Sequence, residues 1–318
     1  MKKFALSLMV LSLLCGAAGA ADKLDITLAT GSTSANYYAV GGVLSTVLNP
    51  VLTLSKLNVT ATGASKANMQ LMQDGECGLG IVQNDVAYYC YNGEDLFKGE
   101  DPYKDFGAIC TMYYETVQIF SLNPELRSFS DLKGKTVSVG AAGSGDNFNA
   151  SQIFKEYGMT FDDVNAVYQS YKDSADSLKD GKIDAAFCIS GAPTTALVDL
   201  AATAGKPINL LSLEEEHINN LMKTYAFYAK NTIPVGVYTG LDREVNTVSI
   251  RAQLVVRLDV PDEVVYEILD AMFKNVDALR AGHGKFANFS IDTARAGVSV
   301  PYHPGAVKYF AEKGIEVK

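Results

Sequence analysis

Five times along the chain a short apolar, β-rich run ends in small, hydroxylated or, at Gln83-Asn84-Asp85, other polar residues, and a helix-like stretch starts at once. Asp25 to Thr30 (DITLAT) leads into Gly31-Ser32-Thr33-Ser34-Ala35-Asn36-Tyr37-Tyr38, after which apolar residues recur at helical spacing from Tyr38 to Leu48. Leu57 to Thr62 leads into Gly63-Ala64-Ser65-Lys66 and a helix over Ala67 to Gln73. Leu79 to Gln83 leads into a helix from Asn84 to Tyr91. The rhythm returns with Thr136 to Val139, Gly140 to Gly145 and a helix over Asn147 to Tyr157. It closes with Ala185 to Ser190, Gly191-Ala192-Pro193-Thr194 and a helix to Thr203. Strands alternating with helices predict a parallel sheet with helices on its faces. With 318 residues, and about 150 per domain as a prior, the simplest reading is two α/β units side by side.

The last third breaks the rhythm. Val248 to Arg257 reads as one long strand, and Asp262 to Asn275 as an amphipathic helix with two acids in its first turn. Pro304 opens a final helix through Glu312, closed by Gly314. No Gly/Ser/Pro-rich linker separates the halves, so the lobes are expected to be joined by ordered strands acting as hinges.

At the other end, Lys2 and Lys3 precede an apolar run from Phe4 to Leu14, and Ala18-Gly19-Ala20 reads as a cleavage site before Ala21. That is the layout of a secretory signal peptide. Export makes disulfides feasible. Beyond Cys15 the chain holds Cys77, Cys90, Cys110 and Cys188, with no C-x-x-C spacing for zinc or redox chemistry. The net charge of −9 excludes a nucleic-acid or anionic-membrane partner, which needs clustered Lys and Arg.

In open α/β sheets ligands sit beyond the carboxyl ends of the strands, where helix N-termini offer free N–H groups and partial positive charge. Five such ends converging from two lobes make a cleft for a small anion without requiring arginine. Each loop taken singly is equally a helix cap. Catalytic patterns are sparse. The glycine loops lack a P-loop ending, Ser144 is outside a G-x-S-x-G elbow, and His217, His283 and His303 have no partners at metal or triad spacing. Tyr37 and Tyr113 are the aromatics best placed to wall a cleft and hydrogen-bond a ligand.

Several segments resemble the TAXI family of TRAP-transporter solute receptors. They are GSTSANYYAVGG (Gly31 to Gly42), ATGASKAN (Ala61 to Asn68), GECGLGIVQNDVA (Gly75 to Ala87), LKGKTVSVGAAGSG (Leu132 to Gly145), DGKIDAAF (Asp180 to Phe187) and HPGAVKYF (His303 to Phe310). The resemblance implies a type II periplasmic binding fold, with two α/β lobes closing over a ligand cleft. It implies lobe one over residues 21–118 and 236–318, and lobe two over 119–235. It implies a monomeric periplasmic receptor, without cofactor, metal or catalysis, that delivers a glutamate-like amino acid or C4/C5 dicarboxylate to an ion-gradient-driven TRAP permease. Carried over by position, ligand contacts come from Gly31, Ser32, Thr33, Ser34, Tyr37, Ser65, Gln83 and Tyr113 in lobe one. Ser144, Gly145, Asn147, Gly191 and Thr194 supply lobe two. Lys66 departs from the family pattern and is either a fixed charge beside a ligand carboxylate or a solvated lysine. With lobes assigned, at most one disulfide is expected, among Cys77, Cys90 and Cys110, and Cys188 is a buried free thiol. The alternatives are an ABC-type receptor, which shares the fold, and a secreted hydrolase using Ser144.

Overall fold

A computed structural model describes residues 23–318, so the expected signal peptide, its cleavage site and Cys15 lie outside the described residues. The first lobe opens with three strand–helix units. These are β1 (Leu24–Ala29) and α1 (Asn36–Leu48), β2 (Ser55–Thr60) and α2 (Ser65–Gln73), and β3 (Leu79–Gln83) and α3 (Asn84–Asn92). A long strand, β4 (Phe106–Ser121), then crosses to the second lobe. There β5 (Thr136–Ser138) and α4 (Gly145–Glu156), β6 (Asn165–Val167) and α5 (Tyr171–Lys179), and β7 (Ala185–Ser190) and α6 (Thr195–Thr203) repeat the pattern. Next come β8 (Asn209–Leu211), α7 (Glu215–Thr224) and β9 (Ala229–Ile233), and β10 (Val245–Arg257) returns. The chain ends with α8 (Asp262–Lys274), α9 (Val276–Gly282) and α10 (Pro304–Glu312).

Among the described residues all strands join one sheet in the order β2-β1-β3-β10-β4-β7-β5-β6, with β8 on β4 and β9 on β10. The order has an internal symmetry. In one half the parallel strands β2-β1-β3 meet β10 antiparallel; in the other the parallel strands β6-β5-β7 meet β4 antiparallel. The two returning strands pair with each other down the middle, Phe106 opposite Arg257 and Thr116 opposite Ser249, with register shifts at Ala252/Gln253 and Leu254/Val255.

Packing follows that division. Helix α1 buries Tyr37, Val40, Leu44 and Leu48 at helical spacing against Ile26, Leu28 and Ile268. Phe129, Phe154 and Phe187 form the aromatic centre of the second half, at 4.9 to 6.2 Å between ring centroids. Strand β4 contributes to both cores, with Ile109 and Met112 on one side of the crossing and Val117 and Ile119 on the other. Helix ends follow local rules. Ser144 caps α4 by accepting from Asn147 N at 3.1 Å, and His303 with Pro304 opens α10. The paired acids Glu215 and Glu216 fall in the first turn of α7.

The four described cysteines are free thiols and all buried, Cys188 among them. Burial pushes the Cys77 thiol up to about 11 and those of Cys90 and Cys110 up to about 12, which makes them poor nucleophiles.

Candidate functional site

The carboxyl ends of β1, β2, β3, β5 and β7 meet where the lobes face each other, and two cavities lie along that junction. The inner one is small, about 30 Å³, and is walled by both lobes. Gly31, Tyr37, Ser65, Gln83 and Glu115 face Gly145, Asp146, Tyr171 and Ser190 across it. The outer one is open and about 550 Å³, with Tyr113, Tyr114, Arg251 and Lys285 opposite Gly191, Pro193 and Val237.

The lobes are closed on each other by polar contacts that run from buried to exposed. Asn36 Nδ2 donates to Ser190 Oγ at 2.8 Å and to the Gly191 carbonyl at 3.0 Å. Gln83 Nε2 donates to Asp146 Oδ1 at 3.2 Å. Asn149 Nδ2 donates to Asp85 Oδ2 at 2.6 Å, and Lys285 Nζ to the Pro193 carbonyl at 2.9 Å. Two glycines of the second lobe receive long side chains from the first. A Cβ on Gly145 would lie 1.7 Å from Gln83 Oε1, and one on Gly191 would lie 2.5 Å from Lys285 Cε. Glycine at both positions therefore permits this approach of the lobes.

Of the thirteen residues expected at the site, Gly31, Tyr37, Ser65, Gln83 and Gly145 line the inner cavity, and Tyr113 and Gly191 line the outer one. The other six line neither cavity. Ser32, Thr33 and Ser34 form a turn closed by Ala35 N donating to the Ser32 carbonyl at 2.9 Å, with Thr33 exposed. Ser144 caps its own helix, and Asn147 Nδ2 donates to the Val139 carbonyl at 3.2 Å, within its own lobe. Thr194 is buried beneath the loop, its hydroxyl donating to the Gly191 carbonyl at 3.0 Å. Lys66 turns away from the cleft to the Leu96 carbonyl at 2.9 Å and Glu100 at 2.8 Å, so it is neither a ligand contact nor free in solvent.

Sequence reasoning missed Asn36, Glu115, Asp146, Tyr171 and Ser190. Glu115 lies inside a strand that was not anticipated, and Asp146 and Asn36 in first turns, where a polar residue also suits capping. Glu115 is 2% exposed, and Tyr37 Oη donates to its Oε2 at 2.5 Å. Burial holds its carboxyl well above the usual range; the neighbouring acids Asp146 and Asp85 push it further, against the Tyr37 bond and Lys285. Burial likewise raises Asp146 to about 7 despite hydrogen bonds from Tyr171 and Gln83, and Asp85 to about 6 despite Asn149.

The helix ends differ between lobes. The N-cap residues of α1, α2 and α3 (Ala35, Ala64 and Gln83) make no side-chain cap, although Val86 N in the first turn of α3 donates to Asp85 Oδ1 at 2.8 Å. In the second lobe α4 and α5 are capped by their own Ser144 and Ser170, whereas Thr194 at the start of α6 makes no side-chain cap.

The recorded hydrogen bonds give Ser144 no histidine. His217 Nδ1 meets Glu156 at 3.1 Å, while His283 and His303 each accept from a backbone N–H two residues on. Among the described residues there is no group of three potential ligands that could hold a metal, and no helix long and apolar enough to cross a membrane.

A family model described as "NMT1-like family" matches residues 28–314. The chain belongs to the NMT1-like family. Solved structures resemble this NMT1-like chain in fold. A protein from Listeria monocytogenes described as an L-cystine ABC transporter superposes with a TM-score of 0.54 at 15% identity, covering 84% of this chain and 98% of its own. A protein from Bacillus subtilis described as an amino-acid ABC transporter extracellular-binding protein does so with a TM-score of 0.51 at 15% identity, covering 83% and 98%. The NMT1-like chain thus has the two-lobed α/β architecture of periplasmic binding proteins.

Proposed function

We propose that this chain is an extracytoplasmic solute receptor that closes two lobes over a small amino-acid-like ligand and hands it to a membrane permease. The observation that carries the reading is the inner cavity, whose walls come from both lobes and which shuts through polar contacts between them. At about 30 Å³ it has room for little more than water, so a ligand enters only when the lobes part. The uncapped ends of α1, α2 and α3 supply N–H donors for a ligand carboxylate.

The proposal takes β4 and β10 as the two crossings of the expected lobe division, 21–118 and 236–318 against 119–235, but draws the return boundary later than 236. Val245, Val248 and Ile250 pack with second-lobe residues, which moves the return crossing into β10, near Arg251. Both structural neighbours carry ABC-transporter descriptions, which supports an ABC-type permease as partner. The TRAP permease implied by the sequence resemblance is the second reading, carried by the Gly31 to Gly42 loop. The hydrolase reading has no histidine base bonded to Ser144, since His217, His283 and His303 make their hydrogen bonds elsewhere.

Native mass spectrometry of protein exported by its own host, followed by thermal shift against amino acids and dicarboxylates, tests the receptor. A co-purified small acid lost on denaturation is expected. Ligand at 100 times its Kd stabilises by about 2.7 kcal/mol. Uptake in proteoliposomes that requires ATP selects the ABC partner, and uptake driven by a sodium gradient alone selects TRAP.

A further inference from the structure

Three side-chain acceptors, Glu115, Asp146 and Gln83 Oε1, line the inner cavity together. Glu115 uses one oxygen for Tyr37, and the Asp146 oxygens take Gln83 Nε2 and Tyr171 Oη. Those contacts engage one N–H of Gln83 and the hydroxyls of Tyr37 and Tyr171. Gln83 is 2% exposed, lines the cavity, and its Oε1 is buried with no partner among the described residues. A buried acceptor without a donor is costly unless something supplies one. The side chains at this spot therefore suit a ligand group that brings several N–H donors and positive charge.

We propose that the inner cavity receives the ammonium head of its ligand between Glu115 and Asp146, with Gln83 Oε1 as a third acceptor. On binding, the cation exchanges for a proton on this pair of carboxyls. The inference rests on the receptor reading above and narrows its ligand to an amine-bearing acid instead of a dicarboxylate. The exchange is simple. Each carboxyl that gives up its proton becomes a carboxylate, the proton goes to solvent, and the ammonium keeps its own hydrogens. Asp146, raised to about 7, supplies such a proton near neutral pH, and burial shifts Glu115 in the same direction.

The groups facing the pair are accounted for from each element around it. They are Tyr37 from α1, Asp85 from α3, Tyr113 on β4 itself, Tyr171 from α5 and Cys188 from β7. All of these are neutral or acidic. Lys285, in the loop after α9, is the cation that acts on Glu115, and its ammonium is already held by the Pro193 carbonyl. Two close carboxyls with so little cationic support stay protonated in part until a ligand cation arrives.

The test compares L-glutamate with glutarate, and L-ornithine with pentanoate, by titration calorimetry at pH 6.5 in two buffers of different ionisation enthalpy. The expected result is that an amine-bearing compound binds, releases close to one proton, and tightens up to about tenfold per pH unit from 5.5 to 6.5 for each proton released. Glu115→Gln, which keeps the shape, is expected to weaken that compound by about 30-fold or more and to abolish most of the proton release. Asp146→Asn is the parallel variant, and the buffer comparison on the wild type needs no variant at all. Glutarate or pentanoate binding as tightly as its amine-bearing counterpart, or amine binding without proton release, overturns the proposal while the receptor reading stands. If no compound binds and native mass spectrometry finds nothing co-purified, the receptor reading fails and this inference fails with it.

Discussion

The two lobes share a strand order, yet they face the cleft differently. The first presents three helix ends without side-chain caps, together with Tyr37, Ser65 and Gln83. The second caps α4 and α5 with its own serines and offers glycines where the first lobe's Gln83 and Lys285 come to rest. The contrast teaches a division of labour. On the proposed receptor reading, the first wall, with three helices lacking N-cap side-chain bonds against one in the second, is the side expected to hold a ligand before closure.

The most severe way to break that division is to fill a recess. Gly145→Val is expected to hold the lobes apart and weaken binding by about 100-fold, since the closed state must then be reached against a clash. Small-angle scattering showing an unchanged ligand-induced contraction would refute it. Next comes the buried lock between Asp85 and Asn149, at 2.6 Å. Asn149→Ala leaves Asp85 buried without that donor and is expected to destabilise by about 1–3 kcal/mol, read by urea denaturation.

The third prediction concerns pH. Asp146 is raised to about 7 in the folded protein, so without ligand the native state holds more protons than the unfolded chain. Stability from this group is therefore fully present below about pH 4, the usual carboxylate range, and declines as pH rises toward 7. Asp146→Asn cannot titrate, and its melting temperature should fall less than the wild type's between pH 5 and 7.5. Equal slopes would mean that the carboxyl is not held protonated.

Two smaller effects sharpen the contrast. Ser144→Ala removes the cap of α4 and should lower stability by about 1 kcal/mol with little change in affinity; loss of an esterase turnover would instead revive the hydrolase reading. Lys66→Met removes a surface pair with Glu100 and should change stability by no more than about 1 kcal/mol and ligand affinity not at all.

Much of the architecture could be read along the chain. LGIVQ at Leu79–Gln83, AAFCIS at Ala185–Ser190 and the helix Pro304–Glu312 fall where propensity and capping place them. The long strand Phe106–Ser121 did not stand out, because it is buried on both faces apart from Tyr114 and shows no alternation. Its signal was a run of apolar, β-branched and aromatic residues from Gly107 to Phe120, broken only by Glu115 and Gln118. The short strands β6 and β8 hold three residues each, too few for a period to show.

Strand, turn and helix start were settled locally, since each depends on neighbours within a few residues: alternation of burial, a hydroxyl at a cap, a proline at a first turn. The sequence therefore carried the repeated strand–loop–helix plan and the placing of Gly31, Ser65, Gln83 and Gly145 at strand ends. The character of the cleft arose only in three dimensions. Asp85, Glu115 and Asp146 are far apart in the chain, and nothing in their own neighbourhoods marks them as partners. Long-range strand pairing brings them to one dry junction, where desolvation changes their proton affinity, and no local pattern encodes that.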